Sequence, residues 1–259
     1  TLNQVGRACQ HEPADRDPEQ HHANAEILEL VALDDVDHAA AILAKAIGNV
    51  GSLDWVLRGG SLMRIQIFSD IHNDLKQLER VAATSADIYI SAGDLVTWAR
   101  GLSDCAKVLK PLGEKLWVLP GNHESADQIA KFCEDHGFRN FHEQVFEVDG
   151  WHFAGLGYSN RTPFSTPGEF SEEQLAERLE KFAGLSPMVL VCHAPPAGTD
   201  LDGVKPGEHF GSPKVREFIE AEQPKYFFCG HIHEAAGNET KIGGTTGRNV
   251  GKQGYLLEL

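Results

Sequence analysis

Short apolar runs alternate with longer stretches of mixed polarity from residue 63 to the end of the chain. The apolar runs are five or six residues long and rich in β-branched or aromatic side chains, which is typical of buried strands. The intervening stretches have the length and apolar spacing of helices. The predicted strands cover 64–68, 87–91, 115–119, 187–192 and 225–229. The predicted helices cover 74–84, 102–111, 125–135, 171–182 and 212–221.

A predicted β-hairpin and a β-rich tail add to this alternation. Residues 145–148 and 151–156 are separated by Asp149 and Gly150, a pair that favours a tight hairpin turn. A glycine-punctuated β stretch covers residues 241–259. Alternating elements with a β-rich tail predict an α/β (α+β) fold in which stacked sheets are flanked by helices.

The first 61 residues have a different pattern. Residues 1–23 are polar and are predicted to be disordered. Two predicted helices follow, at 25–33 and 36–47. We therefore expect an N-terminal extension over 1–61 and one globular domain over 62–259. Because a methionine immediately precedes the first predicted strand, we interpret Met63 as the true or alternative start of the protein.

Composition and charge limit the classes of partner. Of the 259 residues, 41% are hydrophobic, which is enough to form a sizeable core. No apolar run approaches the roughly 20 residues of a membrane span, so we expect no membrane association. The formal net charge is −15, and the basic residues form no stripe. Such a field repels a nucleic acid polymer, and we expect a small anionic partner instead.

The cysteines favour a reducing compartment. There are five of them, at positions 9, 105, 133, 192 and 229, with neither CxxC spacing nor the density of a disulfide scaffold. We therefore expect a cytoplasmic protein. Cys192 precedes a candidate ligand, His193, but strand alternation directs the two side chains to opposite faces, so Cys192 is predicted to be a small buried hydrophobic residue.

Polar motifs follow five of the predicted strands, where the carboxyl ends of strands commonly form a site. Together they supply two carboxylates, one amide and five imidazoles: Asp70, His72, Asp94, Asn122, His123, His193, His231 and His233. One such motif alone is usually a turn or a helix cap. The ordered set is what a pair of transition-metal ions bridged by a carboxylate requires, and it predicts a metallohydrolase.

The same order of motifs resembles the signature of the calcineurin-like metallophosphoesterase superfamily, in which DxH, GD, GNH(E/D), a lone His and GHxH follow one another. The resemblance covers residues 63–259 and includes every ligand position. The segments 193–202, 211–220 and 230–234 are similar to the small Icc-related predicted phosphoesterases, and the class III-like cyclic nucleotide phosphodiesterases look like more distant relatives. This resemblance implies a four-layer αββα sandwich of two mixed β-sheets flanked by helices.

The resemblance also implies a ligand set. One metal would be held by Asp70, His72 and His233, the second by Asn122, His193 and His231, and Asp94 would bridge them. These oxygen and imidazole donors suit two divalent ions of Mn, Fe or Zn, and we expect Mn²⁺ to support activity in vitro. A solvent molecule bridging them would be hydroxide near neutral pH and would attack phosphorus in line.

Three further residues are candidates around this centre. His123 is the motif imidazole that the family does not use as a ligand, and it is expected to be a general acid or a charge stabiliser near the leaving oxygen. Glu124 is expected to orient His123 or a ligand. His209 lies in a flexible stretch after His193 and is a weaker candidate for contact with the substrate.

Several functions are compatible with these motifs. We expect hydrolysis of a small phosphodiester rather than a phosphomonoester, because of the resemblance to the Icc-related proteins. A pyrophosphate or nucleotide derivative would present the same phosphorus to the same metals. A catalytically weak or metal-free interaction module is a second possibility, although every ligand is retained. A carbon-centred metallohydrolase is a third, although such families place an HxH motif early, whereas here it comes last.

Overall fold

The computed structural model describes residues 62–259, and the predictions for residues 1–61 lie outside the described residues. Within 62–259 there are five α-helices: α1 Leu75–Ala82, α2 Leu102–Leu109, α3 Ala126–His136, α4 Glu172–Leu179 and α5 Pro213–Glu222. The longer strands are β1 Arg64–Phe68, β2 Ile88–Ser91, β3 Leu116–Val118, β5 Gln144–Val148, β6 Trp151–Leu156, β9 Met188–Cys192, β10 Gly203–Lys205, β12 Tyr226–Cys229, β13 Glu239–Ile242, β14 Thr245–Asn249 and β15 Tyr255–Glu258. Four strands have only two residues: β4 Arg139–Asn140, β7 Ser159–Asn160, β8 Glu169–Phe170 and β11 Glu208–His209.

The first large sheet has the strand order β15-β1-β2-β3-β4. Strands β1 to β4 are parallel, and β15 adds to the edge in the antiparallel direction. Helices α1, α2 and α3 cover its outer face through an apolar cluster that includes Leu78, Leu109 and Ile129. Because the central strands are covered on both sides, their sequences are mostly apolar, and Gln66, a polar side chain in the middle of β1, is buried as well.

The second large sheet has the order β13-β14-β12-β9-β6-β5. Its four inner strands are parallel, and the edge strands β5 and β13 are antiparallel to their neighbours. Helices α4 and α5 cover the outer face through a cluster that includes Leu175, Val215 and Ile219.

The two sheets pack face to face. Ile67 and Ile90 from the first sheet share one buried cluster with Phe153, Val191 and Phe228 from the second. The layers therefore run helix, sheet, sheet, helix, which confirms the predicted four-layer αββα sandwich. The carboxyl ends of β1, β2 and β3 in one sheet, and of β9 and β12 in the other, provide the edge on which the polar motifs lie.

The predicted element boundaries agree closely with the structure. The hairpin of β5 and β6 forms as expected, with Asp149 and Gly150 both in the left-handed region at φ 50° and 75°. The β-rich tail resolves into β13, β14 and β15. Two predicted helices, at 102–111 and 171–182, end earlier as α-helix and continue as 3₁₀ segments, which tighten a helix end before the next strand.

Two predictions from composition can be compared with the described residues. Cys105, Cys133, Cys192 and Cys229 are free and buried, and Cys192 packs in the cluster beneath α4 and α5, as expected for a small hydrophobic residue. Between residues 62 and 259, no helix combines the length and hydropathy that a membrane span needs.

Candidate metal centre

The predicted ligands come together from both sheets. Three overlapping groups have ligand atoms within 4.8 Å of one another: Asp70 with His72 and His233, Asp70 with Asp94 and His193, and His72 with Asp94 and His123. Asp70 and His72 follow β1 and Asp94 follows β2 of the first sheet, whereas His193 and His233 follow strands of the second. The centre therefore lies where the ends of the two sheets meet.

The first part of the centre contains two facing imidazoles. His72 Nε2 lies 3.0 Å from His233 Nε2 and 3.6 Å from Asp94 Oδ2. His233 Nε2 lies 3.8 Å from Asp70 Oδ1. Donor atoms that share one ion at about 2.1 Å are separated by roughly 3.0 to 3.4 Å. The spacing of the two imidazoles lies in this range, and the two spacings to carboxylates exceed it by a few tenths of an ångström.

The second part is built around the amide of Asn122. Its Oδ1 lies 3.1 Å from His193 Nε2 and 2.9 Å from His231 Nδ1. His193 Nδ1–H donates to the Ala92 carbonyl at 2.8 Å, because a carbonyl oxygen can only accept. In the neutral form of His193, the lone pair of Nε2 is therefore directed into the centre, as in imidazoles whose second nitrogen fixes the tautomer of a metal ligand.

Asp94 connects the two parts. Its Oδ2 lies 3.4 Å from His193 Nε2 and 3.6 Å from His72 Nε2. Its Oδ1 accepts the His123 backbone N–H at 2.9 Å, which fixes the direction of the carboxylate. Burial alone would raise the pKa of Asp94, but His193, His72 and this N–H hold the pKa well below its usual value. The side chain is thus anionic and shared between the two parts.

Burial sets the charge of the imidazoles. It lowers the pKa of His72 to about 4 and that of His231 to about 3, so both are neutral near pH 7. Burial would also lower the pKa of His193, but Asp94 and Asp70 raise it to about 9. The cationic His193 compensates the two buried carboxylates, a role that a bound cation would take over when His193 loses its proton.

The backbone at the strand ends is held in unusual conformations. Asp70, His72, Asp94 and His231 all have positive φ, between 44° and 70°. The chain passes so close beside Asp94 that a Cβ at Gly121 would clash with its carboxylate. Left-handed backbone at residues other than glycine carries a free-energy cost and is concentrated at functional sites.

His123 lies at the side of this group, half-buried. Its Nδ1 accepts the Trp98 backbone N–H at 3.3 Å, so Nε2 carries the proton in the neutral ring. The ring centroid lies 5.0 Å from that of His72, with the ring planes at 86°. His123 can therefore donate a proton next to the ligand group.

Glu124 holds the backbone of the motif loops. It is fully buried, and its carboxylate accepts N–H groups from Gly121 at 2.9 Å, Asp94 at 3.2 Å and Val96 at 2.9 Å. Burial and the Asp94 charge raise the pKa of Glu124 to about 8, against the effect of these donors. Glu124 thus lies beside a predicted ligand, and its role in orienting that ligand stays a prediction.

Two threonines that the sequence reasoning missed contact predicted ligands. Thr166 Oγ1 accepts from Asn122 Nδ2 at 3.1 Å and donates to Glu169 at 2.6 Å. Since the Asn122 NH₂ group is held in this way, its oxygen faces the imidazoles. Thr97 Oγ1 lies 3.1 Å from His72 Nδ1. Neither threonine belongs to a motif that could have identified it.

His209 has a local partner. It lies in the short β10–β11 hairpin, where its Nδ1–H donates to the buried Asp202 at 2.8 Å. It lines an open cleft of about 670 Å³ together with Arg216 and Lys241, and none of the predicted ligands lines that cleft within the described part of the chain. Contact between His209 and the substrate stays a prediction.

The donor set fits a pair of divalent ions. Carboxylate and amide oxygens combined with neutral imidazoles suit Mn²⁺, Fe or Zn²⁺ rather than Ca²⁺, which takes oxygen donors alone. The overlapping groups joined by Asp94 offer donors for more than one ion.

Comparison with known proteins agrees with this arrangement. A model of the calcineurin-like phosphoesterase family matches residues 63–235. An uncharacterised protein of Methanocaldococcus jannaschii is 32% identical over 203 residues, which are 75% of this chain and 91% of that protein.

Solved structures share the fold at lower identity. A protein of Thermus thermophilus is 19% identical, with a TM-score of 0.55 over 72% of this chain and 88% of that one. A putative 5′-nucleotidase from Staphylococcus aureus is 14% identical, with a TM-score of 0.50 over 75% of this chain and 49% of that one. The family match extends over all the motifs that supply the ligands, and the chain belongs to the calcineurin-like phosphoesterases, a family of metal-dependent hydrolases of phosphoesters.

Proposed function

We propose that the protein hydrolyses small phosphodiesters with two divalent metal ions. The observation that carries this proposal is the position of Asp94, whose Oδ2 lies 3.4 Å from His193 Nε2 and 3.6 Å from His72 Nε2. A carboxylate between two sets of donors is the arrangement that a dinuclear centre needs.

Seven side chains would hold the ions. One ion would be held by Asp70, His72 and His233, the other by Asn122, His193 and His231, and both by Asp94. When bound, such a pair supplies Lewis acidity that lowers the pKa of water and offsets the charge of the phosphoryl oxygens. Glu124 and Thr166 keep two of these ligands in place through the contacts described above.

His123 would transfer the proton. Its Nδ1 lone pair is occupied by the Trp98 N–H, which leaves the Nε2 proton available for the departing oxygen. An alkoxide leaving group needs that proton before it can depart, whereas an activated phenolate does not. His123 would therefore matter most for esters of ordinary alcohols.

The charges around the centre favour a diester. In residues 62–259, the hydrogen bonds and ion pairs of the seven proposed ligands and His123 involve no Lys or Arg. A phosphodiester carries one negative charge and a monoester up to two, so a donor set without Lys or Arg partners suits the diester better. The resemblance to the Icc-related proteins supports a diester as well.

Metal content and a substrate panel test this proposal. Protein loaded with Mn²⁺ is expected to bind two ions per chain and to hydrolyse bis-p-nitrophenyl phosphate with a higher kcat/KM than p-nitrophenyl phosphate. Cyclic nucleotides and nucleoside diphosphate derivatives complete the panel. A higher kcat/KM for the monoester would refute the diester preference, and stoichiometric metal without turnover of any ester would favour an interaction module.

Two ligand variants test the bridging assignment. Asp94→Ala removes a ligand from both ions, so bound metal and turnover should both be lost, whereas Asn122→Ala should affect mainly one ion. Asp104→Ala is the matched control, because Asp104 is an exposed carboxylate on α2 that pairs with Lys107. An Asp94→Ala protein with two metals and full turnover would refute the assignment.

A further inference from the structure

A row of aromatic rings leads away from the metal centre. The rings of His233 and His72 have centroids 4.8 Å apart, those of His72 and His123 5.0 Å, and those of His123 and Trp98 5.4 Å. His123 contacts both His72 and Trp98, with interplanar angles of 86° in each case. Trp98 therefore lies against the imidazole that we propose as the proton donor.

The indole of Trp98 has no role in the core. The residue is 47% exposed and belongs to none of the three buried apolar clusters of residues 62–259. A large aromatic ring left in water gives up the favourable free energy of its burial. Its place beside His123 makes that surface available to a ligand.

The backbone of Trp98 adopts a left-handed conformation that tryptophan disfavours. Trp98 and Ala99 form the centre of a two-residue turn, closed by a bridge between Thr97 and Arg100, and their φ values are 50° and 57°. Turns with two left-handed residues normally contain Asn, Asp or Gly there. A tryptophan at such a position indicates that its side chain has a function that offsets the free-energy cost of this backbone conformation.

Asn73 clamps this turn on both sides. Its Oδ1 accepts the Thr97 N–H at 2.9 Å, and its Nδ2 donates to the Arg100 carbonyl at 2.8 Å. Asn73 directly follows His72, so the turn is tied to the same loop that carries a proposed ligand. The indole is consequently presented at a fixed place relative to the centre.

We propose that Trp98 binds the leaving group of the substrate, and that this group carries a flat unsaturated ring, such as a nucleobase or an aryl ring. The inference rests on the proposed function, since a proton donor must lie beside the departing oxygen and Trp98 lies beside that donor. Flat rings stack on indole without needing specific hydrogen bonds. The substrate class is thus a phosphodiester of a nucleoside or a related aromatic alcohol.

Binding of two phosphonates tests this without turnover. Calorimetry with the Mn²⁺-loaded protein compares phenylphosphonate, which carries the ring, with methylphosphonate, which does not. Trp98→Asn removes the indole and places at the turn a residue that tolerates positive φ. We expect it to weaken phenylphosphonate binding about tenfold, as for loss of one aromatic stacking partner, and to change methylphosphonate binding less than about twofold.

Kinetics and stability complete the experiment. Trp98→Asn should raise KM for bis-p-nitrophenyl phosphate by a similar factor with a smaller change in kcat, since a ring contact is made in the ground state as well. Trp98→Phe should restore most of the binding. The thermal midpoint of Trp98→Asn should not fall, whereas loss of an indole that had only a structural role would lower it. Val145→Ser is the control, because Val145 is 40% exposed on the edge strand β5.

Equal changes for the two phosphonates, or no change for either, would overturn the role of Trp98. Failure of the proposed function gives a different result: the wild-type protein would then hydrolyse no phosphodiester, whatever the effect of Trp98→Asn on phosphonate binding.

Discussion

Replacement of Glu124 by glutamine changes one atom of the side chain and removes a hydrogen-bond acceptor from a fully buried position. The carboxylate accepts three backbone N–H groups, two at Oε2 from Gly121 and Asp94 and one at Oε1 from Val96. A glutamine amide has one accepting oxygen, and its NH₂ group can only donate. In either orientation of the amide, at least one buried N–H then faces another donor.

The size of the effect follows from this count. A buried polar group that loses its partner costs about 1 to 3 kcal/mol, and the better orientation of the glutamine leaves one such group, the Val96 N–H. Because the pKa of Glu124 is raised to about 8, we expect Glu124→Gln to lower the free energy of unfolding by about 1 to 3 kcal/mol above that pH, where the carboxyl is ionised. Because Glu124 also holds the Asp94 backbone, bound metal should fall as well.

Urea unfolding of the metal-free proteins measures the first effect, and metal analysis after loading measures the second. Glu79→Gln is the matched control: Glu79 is exposed on α1, and this variant should stay within about 0.5 kcal/mol of the wild type. Unchanged stability together with full metal content in Glu124→Gln would refute the reasoning.

Three further predictions concern other parts of the site and its surroundings. His123→Ala should lower kcat/KM about 10² to 10⁴-fold for nucleoside or alkyl leaving groups, and at least about tenfold less for p-nitrophenolate, with unchanged metal content; equal losses would make His123 a charge stabiliser. Gly121→Ala should abolish metal binding, because its Cβ would clash with Asp94, whereas Gly203→Ala, whose Cβ would meet no atom closer than 4.0 Å, should bind metal normally. Burial lowers the pKa of His142 to about 4. As pH falls, His142 is therefore protonated in the unfolded chain before it is protonated in the folded one, and the folded state should lose at most about 3 kcal/mol of stability between about pH 6.5 and pH 4. The unfolding free energies of wild type and His142→Asn, measured in urea, should converge over that range, and parallel curves would contradict this assignment.

The fold could be predicted from the sequence wherever a segment is buried on both faces. Strands β9 and β12 are continuously apolar, and their polar successors, His193 and His231, follow within two residues. Because parallel strands of one sheet direct their carboxyl ends to one edge, these local patterns place the motifs of each sheet together. The pairing of the two edges in one centre was implied by the family resemblance.

Other parts of the structure depend on contacts that leave no local pattern. Strands β4, β7 and β8 have two residues each, too few for any periodicity. Thr166 contacts Asn122 across 44 positions, from a loop without a motif. Likewise, the aromatic contact of Trp98 with His123 spans 25 positions and results from the turn that Asn73 holds. Such contacts are set by tertiary packing, and only the folded chain reveals them.

The origin of the ligands in two sheets has a consequence for the life of the protein in the cell. His72 and His233 lie 161 positions apart in the chain, and Asn122 and His193 lie 71 apart. Closing such long loops is slow and entropically unfavourable, so the complete donor set exists only after both halves of the sandwich have docked. Ions that bind only this docked state stabilise it in proportion to the logarithm of their concentration. Metal scarcity would then increase the unfolded fraction that proteases remove, so that supply of the ion governs how much of the protein persists as well as how fast each molecule works.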